Sequence, residues 1–349
     1  MEDLLKILVS ALEVSSNIHL KELSKHLDGV EFVGIYEFED QKGFYTPKDF
    51  SIMGFIDIFK KIHFFKSILK KMAEMAKDVD KVLLLDSSSF NLPLAKAIKK
   101  KYPQKEIIYY ILPQVWAWKS WRVKALKKYC NKLYGILPFE VGMYRGRAEY
   151  IGHPLLDEIP HFKTEISEEG SIVFMPGSRK QEIKRMFPVF CEVAKELEGE
   201  RKVLVVPPHF DDAKIKEYYG EISEDFEVVS DANLALYEAK FAFICSGTAT
   251  LQSALIGTPF VLGYKAKALD LWIARMFVKL RYIGLANILS SHCGGGVVHP
   301  EFIQDECNAQ NLLQAYWATD SQGFFERIQR LREYLAFGSS QRLAHKILE

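Results

Sequence analysis

The sequence lacks the residue spacings that mark most metal, redox and common cofactor sites. Its five cysteines form no C-x-x-C pair and no disulfide framework, which favours a reducing cytoplasm. Its nine histidines form no H-E-x-x-H arrangement, so no catalytic metal is expected. Neither a G-x-G-x-x-G fingerprint nor a Walker loop is present, which disfavours nicotinamide cofactors and ATP. We therefore predict a protein that works without a cofactor.

Long apolar runs are also missing. No run approaches the roughly 20 residues that are needed to span a bilayer. The chain begins Met1-Glu2-Asp3, which is acidic where a signal peptide would be basic. We expect a cytoplasmic location, with any membrane contact being peripheral.

Charge is divided unevenly along a chain of otherwise ordinary composition. Apolar residues make up 48% and charged residues 26%, which argues against a disordered or fibrous protein. Met1–Leu155 contains 25 Lys and Arg against 18 Asp and Glu, whereas the remainder contains 21 against 27. A basic first half suits contact with phosphate or anionic lipid, and solvated lysine faces are an equal alternative. The net charge of +1 gives no reason to expect a nucleic-acid partner.

Short apolar runs alternate with lysine-rich amphipathic stretches, which is the pattern of buried parallel strands and helices. The first set of runs is Leu5–Ala11, Val30–Ile35, Val82–Leu85, Ile107–Leu112 and Leu133–Leu137. The second set is Ser171–Met175, Lys202–Val206, Phe226–Val229, Phe241–Cys245 and Phe260–Tyr264. The restart predicts two doubly wound α/β domains facing a ligand cleft, joined by a linker at Gly152–Pro160. The predicted boundaries are 1–155, 156–310 and a helical C-terminal segment, 311–349.

Clusters of small, polar and charged residues directly follow several of these strands. Met175–Arg179 and Cys245–Thr250 combine glycine and hydroxyl residues at strand ends, where backbone N–H groups bind phosphate well. Two such loops favour a diphosphate, and an ordinary strand-to-helix turn is the alternative for each. Asp86 is a candidate general base or acceptor anchor, and its alternative is a helix N-cap. Glu13 is a second candidate carboxylate, with a surface glutamate as the alternative.

Two further segments carry aromatic residues in unusual positions. Trp116 and Trp118 follow a predicted strand, where packing is the usual role and sugar or acyl contact is the alternative. Within 52–72, Phe64 and Ile68 fall outside the main apolar stripe of a predicted helix and are interleaved with lysines. Those lysines are Lys60, Lys61, Lys70 and Lys71. This face suits an anionic lipid surface, and a partner helix in a homodimer is an equal alternative. We expect His19 and His153 to be structural.

Taken together, these segments resemble the lipid A disaccharide synthase family, which are glycosyltransferases of the two-domain GT-B type. The resemblance extends over most of the chain. Its ordered matches are Ile52–Phe55, Asp86 with Phe90-Asn91, Pro113–Trp118, Leu137–Glu140, Gly152–Pro154, Pro176–Arg179, Ser246–Thr250 and Leu285–Asn287. It implies transfer of an acylated glucosamine from UDP-2,3-diacylglucosamine to 2,3-diacylglucosamine 1-phosphate (lipid X). The product is a β-1′,6-linked disaccharide, formed with inversion at the anionic, cytoplasmic face of a Gram-negative inner membrane.

The resemblance also implies roles for individual residues. Glu13 and Asp86 serve catalysis, with Asp86 as the base and Arg179 as the diphosphate partner. The nucleotide-sugar residues are Gly177, Ser178, Arg179, Gly247, Thr248, Gln252 and Asn287. The acceptor residues are Ser16, Asn17, Asn91, Gln114 and Trp116. Asn17 and Gln252 depart from the family pattern, since each is an amide where the family has a carboxylate.

Three rival functions remain at this point. One is another UDP-sugar transferase, such as the enzyme that glycosylates lipid-linked muramyl pentapeptide. Another is a UDP-N-acetylglucosamine 2-epimerase. The third is a non-catalytic module that binds a lipid surface.

Overall fold

The computed structural model describes residues 4–38, 41–46, 58–116, 120–245, 247–266 and 281–349, with no side chains described for 58–62. The chain forms two compact units. Unit 1 comprises Met1–Glu158 and Leu335–Glu349, and unit 2 comprises Ile159–Tyr334. The predicted division at 155 therefore lies three residues early. The predicted C-terminal segment is not a separate body, because its helices are shared between the two units.

Unit 1 is built on a six-stranded parallel sheet in the order β2-β1-β5-β6-β7-β8. The strands are β1 (Leu5–Ala11), β2 (Val30–Ile35), β5 (Lys81–Leu85), β6 (Glu106–Tyr110), β7 (Lys132–Gly135) and β8 (Glu149–Tyr150), with a small hairpin of β3 (Glu37–Phe38) and β4 (Gln41–Lys42). The helices are α1 (Val14–Ser24), α2 (Ile58–Met75), α3 (Ser88–Lys101), α4 (Arg122–Tyr129), α5 (Pro138–Val141) and α6 (Leu155–Glu158).

The central strands of unit 1 are mostly apolar because helices cover both faces of the sheet. Leu83 and Leu85 point to one face with Ile7 and Val9, where they meet Leu343 and Ile347 near the C-terminus of the chain. Val82 and Leu84 point to the other face, towards the residues of α2 and α3. The chain therefore closes one side of its first sheet with its last helix.

Unit 2 has its own six-stranded parallel sheet in the order β11-β10-β9-β12-β13-β14. The strands are β9 (Ser171–Met175), β10 (Lys202–Val205), β11 (Phe226–Val229), β12 (Ala239–Cys245), β13 (Phe260–Tyr264) and β14 (Glu301–Ile303). The helices are α7 (Lys180–Lys195), α8 (Asp212–Tyr219), α9 (Ala232–Glu238), α10 (Thr248–Ile256), α11 (Leu285–His292), α12 (Ala309–Trp317) and α13 (Ser321–Leu335). The final helix, α14 (Ser339–Leu348), belongs to unit 1. Stacked phenylalanines form the centre of unit 2, with the rings of Phe174 and Phe243 5.2 Å apart.

Each sheet reverses its strand order once. In unit 1 the chain goes from β1 outward to β2 and then returns to β5 on the other side of β1. In unit 2 it goes from β9 outward to β10 and β11 and returns to β12. Ligands of doubly wound sheets bind beyond the carboxyl ends of the strands at this reversal. The fold thus selects the β1/β5 edge and the β9/β12 edge as the places for chemistry.

The structure corrects the interpretation of α2 as a lipid-facing helix. Ile68 is fully buried in the core of unit 1, and Phe64 packs edge-on against Tyr45, with 5.9 Å between ring centroids. The adjacent Phe65 packs against Phe90 of α3. The helix therefore contacts two different neighbours, Tyr45 on one side and α3 on the other. Lys70 and Lys71 are exposed as expected, whereas the side chains of Lys60 and Lys61 lie outside those described. No helix within the described residues is both long and apolar enough to cross a membrane.

Candidate functional site

Asp86 occupies a strained turn at the reversal point of unit 1. It follows Leu85, which pairs in register with Ala11 of β1, so it lies beside the segment that leads into α1. Asp86 and Ser87 both have positive φ angles, 46° and 35°, which non-glycine residues adopt at an energetic cost. Ser87, not Asp86, is the N-cap of α3, so the helix-cap alternative for Asp86 is wrong.

Asn91 holds this turn in place. Its amide nitrogen donates to the backbone oxygens of Leu85 and Asp86 at 2.9 and 3.0 Å. Its amide oxygen accepts a 2.6 Å hydrogen bond from the Ser10 hydroxyl. Asn91 is fully buried, and the predicted contact with the acceptor would require these hydrogen bonds to open. Its role is to fix the backbone that carries Asp86.

Burial and several neighbouring groups act on the pKa of the Asp86 carboxyl. Burial is the largest influence and raises the pKa of Asp86, and the neighbouring Glu13 raises it further. The Ser87 N–H, His19 and Arg122 act in the opposite direction. A carboxyl group whose pKa is raised is a better proton acceptor once it is ionised. Unit 1 thus brings both predicted carboxylates into one electrostatic environment.

The loop from β1 into α1 separates exposed from buried candidates. Glu13 is exposed and its side chain makes no capping hydrogen bond to α1. Asn17 is buried instead, and its amide donates to the backbone oxygens of Ala11 and Glu13 and accepts from the N–H of Glu37. Ser16 is also fully buried. The side chains of Ser16 and Asn17, both predicted to contact the acceptor, are thus buried in this structure, and that of Asn17 fixes the loop that presents Glu13.

Two further acceptor candidates lie after β6. Gln114 is exposed, and Trp116 is half-buried with its indole edge-on to Phe139 at 5.3 Å. Trp118 lies outside the described residues. Beyond the neighbouring strand β7, Glu140 and Tyr144 are fully buried. Among the described atoms, neither the Glu140 carboxyl oxygens nor the Tyr144 hydroxyl has a partner that meets the distance and angle of a hydrogen bond. Burial raises the pKa of Glu140 to about 8, although N–H groups of Leu137 and Ile136 lower it.

In unit 2, the loop after β9 places Arg179 at the N-terminus of α7. Gly177 has a φ of 109°, and a Cβ there would lie 3.0 Å from the Glu182 carboxylate, so the turn requires glycine. Arg179 is the N-cap, and its guanidinium forms a 2.9 Å ion pair with Glu182. The Arg179 side chain is 81% exposed, and exposed ion pairs are weak. Ser178 beside it is also exposed.

The loop after β12 lies next to this turn. A Cβ on Gly177 would be 3.7 Å from the sulfur of Cys245, the last residue of β12. Gly247 is the N-cap of α10, has a φ of 137°, and faces open space on the side where a Cβ would project. Thr248 is exposed at the start of the same helix, and Ser246 lies outside the described residues. The N-termini of α7 and α10 therefore open side by side at the reversal point, where two helix ends and their free N–H groups favour an anion.

Gln252 and Asn287, the other two candidates for nucleotide contact, differ in how their side chains are hydrogen bonded. Gln252 is half-buried, and its amide nitrogen donates a 2.6 Å hydrogen bond to the side-chain oxygen of Asn233. Asn287 is fully buried and its side chain is committed to His299, Val298 and Glu301. The predicted contact between Asn287 and a nucleotide would require some of these hydrogen bonds to open. Asn287 instead fixes the start of α11 against β14.

Sequence reasoning missed the pairing of His19. Its ring Nδ1 is hydrogen bonded to the carboxylate of Glu158, 139 residues away in the sequence and at the end of α6. His153 is buried, and burial lowers its pKa to about 3, so it is a neutral acceptor for the N–H of Leu155. The described residues contain no group of three histidine, cysteine or acidic side chains suited to a metal ion.

Comparisons with known proteins bear on the family and the fold. Residues 7–337 match the family model described as lipid-A-disaccharide synthetase. A lipid-A-disaccharide synthase from Helicobacter pylori (strain Shi470) is 54% identical, covering 97% of this chain and 97% of that protein. Among solved structures, S. aureus MnaA in a co-structure with UDP is similar, with a TM-score of 0.63 and 15% identity over 98% of this chain and 96% of that one. The calicheamicin glycosyltransferase CalG4 has a TM-score of 0.58 and 12% identity over 100% and 98%. At these low identities the two structures bear on the fold alone, and they confirm two Rossmann-like domains.

Proposed function

The chain belongs to the lipid-A-disaccharide synthase family, and on that basis we propose that it joins two acylated glucosamine units with release of UDP. The donor is UDP-2,3-diacylglucosamine and the acceptor is 2,3-diacylglucosamine 1-phosphate. The 6-hydroxyl of the acceptor attacks the anomeric carbon of the donor. The bond from that carbon to the diphosphate breaks, and the product is a β-1′,6 disaccharide.

The observation that carries this proposal is the pair of glycine turns at the β9/β12 edge of unit 2. A diphosphate needs positive potential on more than one oxygen, and two adjacent helix N-termini provide it. Arg179 adds a full positive charge beside the same turn, and its side chain is 81% exposed. We assign the diphosphate to Gly177, Ser178, Arg179, Gly247 and Thr248. Gln252 takes part through its amide oxygen, which accepts from a ribose hydroxyl.

Unit 1 provides the groups for the acceptor in this proposal. Asp86 removes the proton from the attacking hydroxyl, and Glu13 is the second carboxylate beside it. Gln114 and Trp116 are the remaining candidates for acceptor contact, since Asn17 and Asn91 are committed to the backbone. Breaking the bond to UDP then depends on the positive groups of unit 2, which stabilise charge on the leaving diphosphate.

We also propose that the carboxyl edge of the unit 1 sheet rests on anionic membrane. Val14, Trp121 and Met143 lie in segments that follow β1, β6 and β7, and they are 56%, 61% and 40% exposed. Exposed Lys124 and Lys128 follow Trp121 on α4. Aromatic and basic residues together suit a lipid interface, where the acylated substrates are located. Binding to vesicles of anionic lipid is the property that this proposal predicts.

A product assay separates this function from its rivals. With the acylated donor and acceptor together, we expect free UDP and disaccharide in equal amounts, and neither with one substrate alone. Conversion of UDP-N-acetylglucosamine without an acceptor would indicate an epimerase. Transfer of unacylated N-acetylglucosamine to a muramyl lipid would indicate the other transferase. No UDP from any substrate would leave only the non-catalytic module.

A further inference from the structure

The backbone of Asp86 is held by hydrogen bonds on both sides. Its N–H donates to the backbone oxygen of Tyr110 at 3.0 Å, which continues the ladder of the sheet. Its own backbone oxygen accepts two hydrogen bonds, one from the amide of Asn91 at 3.0 Å and one from the hydroxyl of Tyr109. The side chains of Tyr109 and Asn91 are both fully buried. A carbonyl oxygen has two lone pairs, so this one is fully engaged within unit 1.

Two neighbouring strands end in a costly backbone conformation at this point. Leu85 pairs in register with Tyr110, so the residues that follow them, Asp86 and Ile111, leave the sheet side by side. Ile111 has a φ of 62°, which is unusual for a β-branched residue, and Asp86 has a φ of 46°. Such conformations persist only where surrounding contacts fix them, and they cluster at functional sites. The contacts that fix the Asp86 turn therefore bear on how its carboxyl is aimed.

Tyr109 and Tyr110 carry buried hydroxyl groups on opposite faces of β6. The ring of Tyr109 lies in the core that includes residues of α2 and α3, and its hydroxyl reaches the Asp86 turn. The ring of Tyr110 lies on the other face, where its hydroxyl oxygen is 3.4 Å from that of Ser339 at the start of α14. The two side chains are thus alike in burial and chemistry, and they differ in what their hydroxyl groups contact.

Asn91 is itself held from β1. The hydroxyl of Ser10, which is fully buried, donates at 2.6 Å to the amide oxygen of Asn91. That hydrogen bond fixes the amide so that its nitrogen faces the backbone oxygens of Leu85 and Asp86. Ser10 and Tyr109 therefore reach the same peptide, one through Asn91 and the other directly.

We infer that Tyr109 and Ser10 are positioning residues, whose hydrogen bonds aim the Asp86 carboxyl at the attacking hydroxyl of the acceptor. A general base must lie within hydrogen-bond reach of the proton that it removes, and a displacement of about 1 Å can lower a rate about 10²-fold. Without the Tyr109 hydroxyl, the strained turn has one donor fewer to hold it. The role of Asp86 in this inference rests on the proposed function. Hydrogen bonds that only stabilise unit 1 are the competing explanation.

Tyr109→Phe and Tyr110→Phe form a matched pair, because each removes one buried hydroxyl from β6 and keeps the ring and the backbone. Tyr109→Phe should lower kcat about 10-fold or more and change KM less than about 2-fold, since the base is misaligned while the substrates still bind. Tyr110→Phe should keep kcat within about 2-fold of the unmodified value. Urea unfolding of both variants measures the loss of stability. Equal kcat values for the two variants would overturn the inference and leave the stabilising role.

Ser10→Ala tests the same turn through Asn91, with little change in volume. It should lower kcat about 3-fold or more, again with KM nearly unchanged. Ser339→Ala is its control, since Ser339 is also fully buried in unit 1 and its hydroxyl lies beside that of Tyr110. Equal kcat values for the two serine variants would overturn the inference, and this comparison decides the matter if Tyr109→Phe does not fold.

A double variant shows whether Tyr109 acts through Asp86. Once the base is removed there is nothing left to position, so Tyr109→Phe should lower the residual turnover of Asp86→Asn less than about 2-fold. A further loss as large as that in the unmodified protein would overturn the inference, because Tyr109 would then act independently of Asp86. An Asp86→Asn protein that keeps its turnover would refute the base assigned in the proposed function. Loss of turnover in Asp86→Asn with full turnover in Tyr109→Phe would refute the inference alone.

Discussion

Glu140 is a buried acid whose cost to stability depends on pH. Its pKa is raised from 4.5 to about 8 by burial, and no cation is among the causes that act on it. Below pH 4.5 the carboxyl is protonated in both the folded and the unfolded chain, so its contribution to stability is fully present. As the pH rises towards 8 the carboxyl ionises only in the unfolded chain, and the free energy of unfolding falls.

Glu140→Gln should therefore stabilise the protein at neutral pH and not at pH 4. An amide cannot ionise, and about 1.4 kcal/mol per pH unit gives a gain on the order of 3 kcal/mol at pH 7. Urea unfolding at both pH values measures it. Glu165→Gln, at an exposed glutamate, is the control and should change little. Equal stability of Glu140→Gln and the unmodified protein at pH 7 would show that Glu140 is ionised in the folded state.

Single residues also show what a sequence conceals. The spacing after strands correctly places Glu13 and Asp86 at one sheet edge, because parallel strands end together. It does not reveal whether a side chain points outward or inward. Asn91 and Asn287 carry the polar groups expected of ligand contacts, yet both complete backbone hydrogen bonds that would otherwise be missing. The pairing of His19 with Glu158 depends on tertiary structure alone.

Among the elements, strands of four residues or more with mostly apolar sequences are the ones that the sequence predicts well. β1, β2, β9, β11 and β13 have the predicted bounds, and they include two edge strands, β2 and β11, as well as strands inside the sheets. The edge strands β8 and β14 were not predicted, because two or three residues of mixed polarity carry no periodic signal. The error in α2 has a similar cause. A helical wheel assumes one contact face, whereas this helix packs against a sheet and two neighbours, so its buried arc includes Ile68.

The exposed residues that follow β1, β6 and β7 of unit 1, and not α2, are the candidates for membrane contact. Trp121→Ser should lower binding to anionic vesicles in a sedimentation assay, and added salt should lower binding further by screening the lysines. Trp317→Ser is the matched control, since Trp317 is 67% exposed but belongs to unit 2. Equal binding by both variants and the unmodified protein would exclude this edge. Circular dichroism confirms that each variant is folded.

At the scale of the whole molecule, the chain enters unit 2 at Ile159 and returns to unit 1 at Leu335. The return is fixed by side chains near the linker, since Asp157 accepts from the N–H groups of Gly338 and Ser340. Arg342 on α14 donates to the backbone oxygen of Ile151. The sequence predicts the two-domain organisation from its restarted strand pattern. It does not predict the return, because an amphipathic helix at the end of a chain carries no mark of the sheet that it covers.

The division of labour between the units is the central claim, and two variants test it most directly. Asp86→Asn keeps the shape of the side chain but removes the proton acceptor, so turnover should fall by about 10²- to 10⁴-fold. UDP affinity should stay the same, because the diphosphate is assigned to unit 2. Arg179→Ala should weaken UDP binding and slow transfer together, since that contact acts before and during bond breaking.

The decisive measurement is UDP binding by calorimetry, set beside UDP release at saturating acylated substrates, for both variants and the unmodified protein. We predict normal UDP binding with lost turnover for Asp86→Asn, and weakened binding with reduced turnover for Arg179→Ala. An Asp86→Asn protein that keeps most of its turnover, or an Arg179→Ala protein that binds UDP as tightly as the unmodified one, would contradict it.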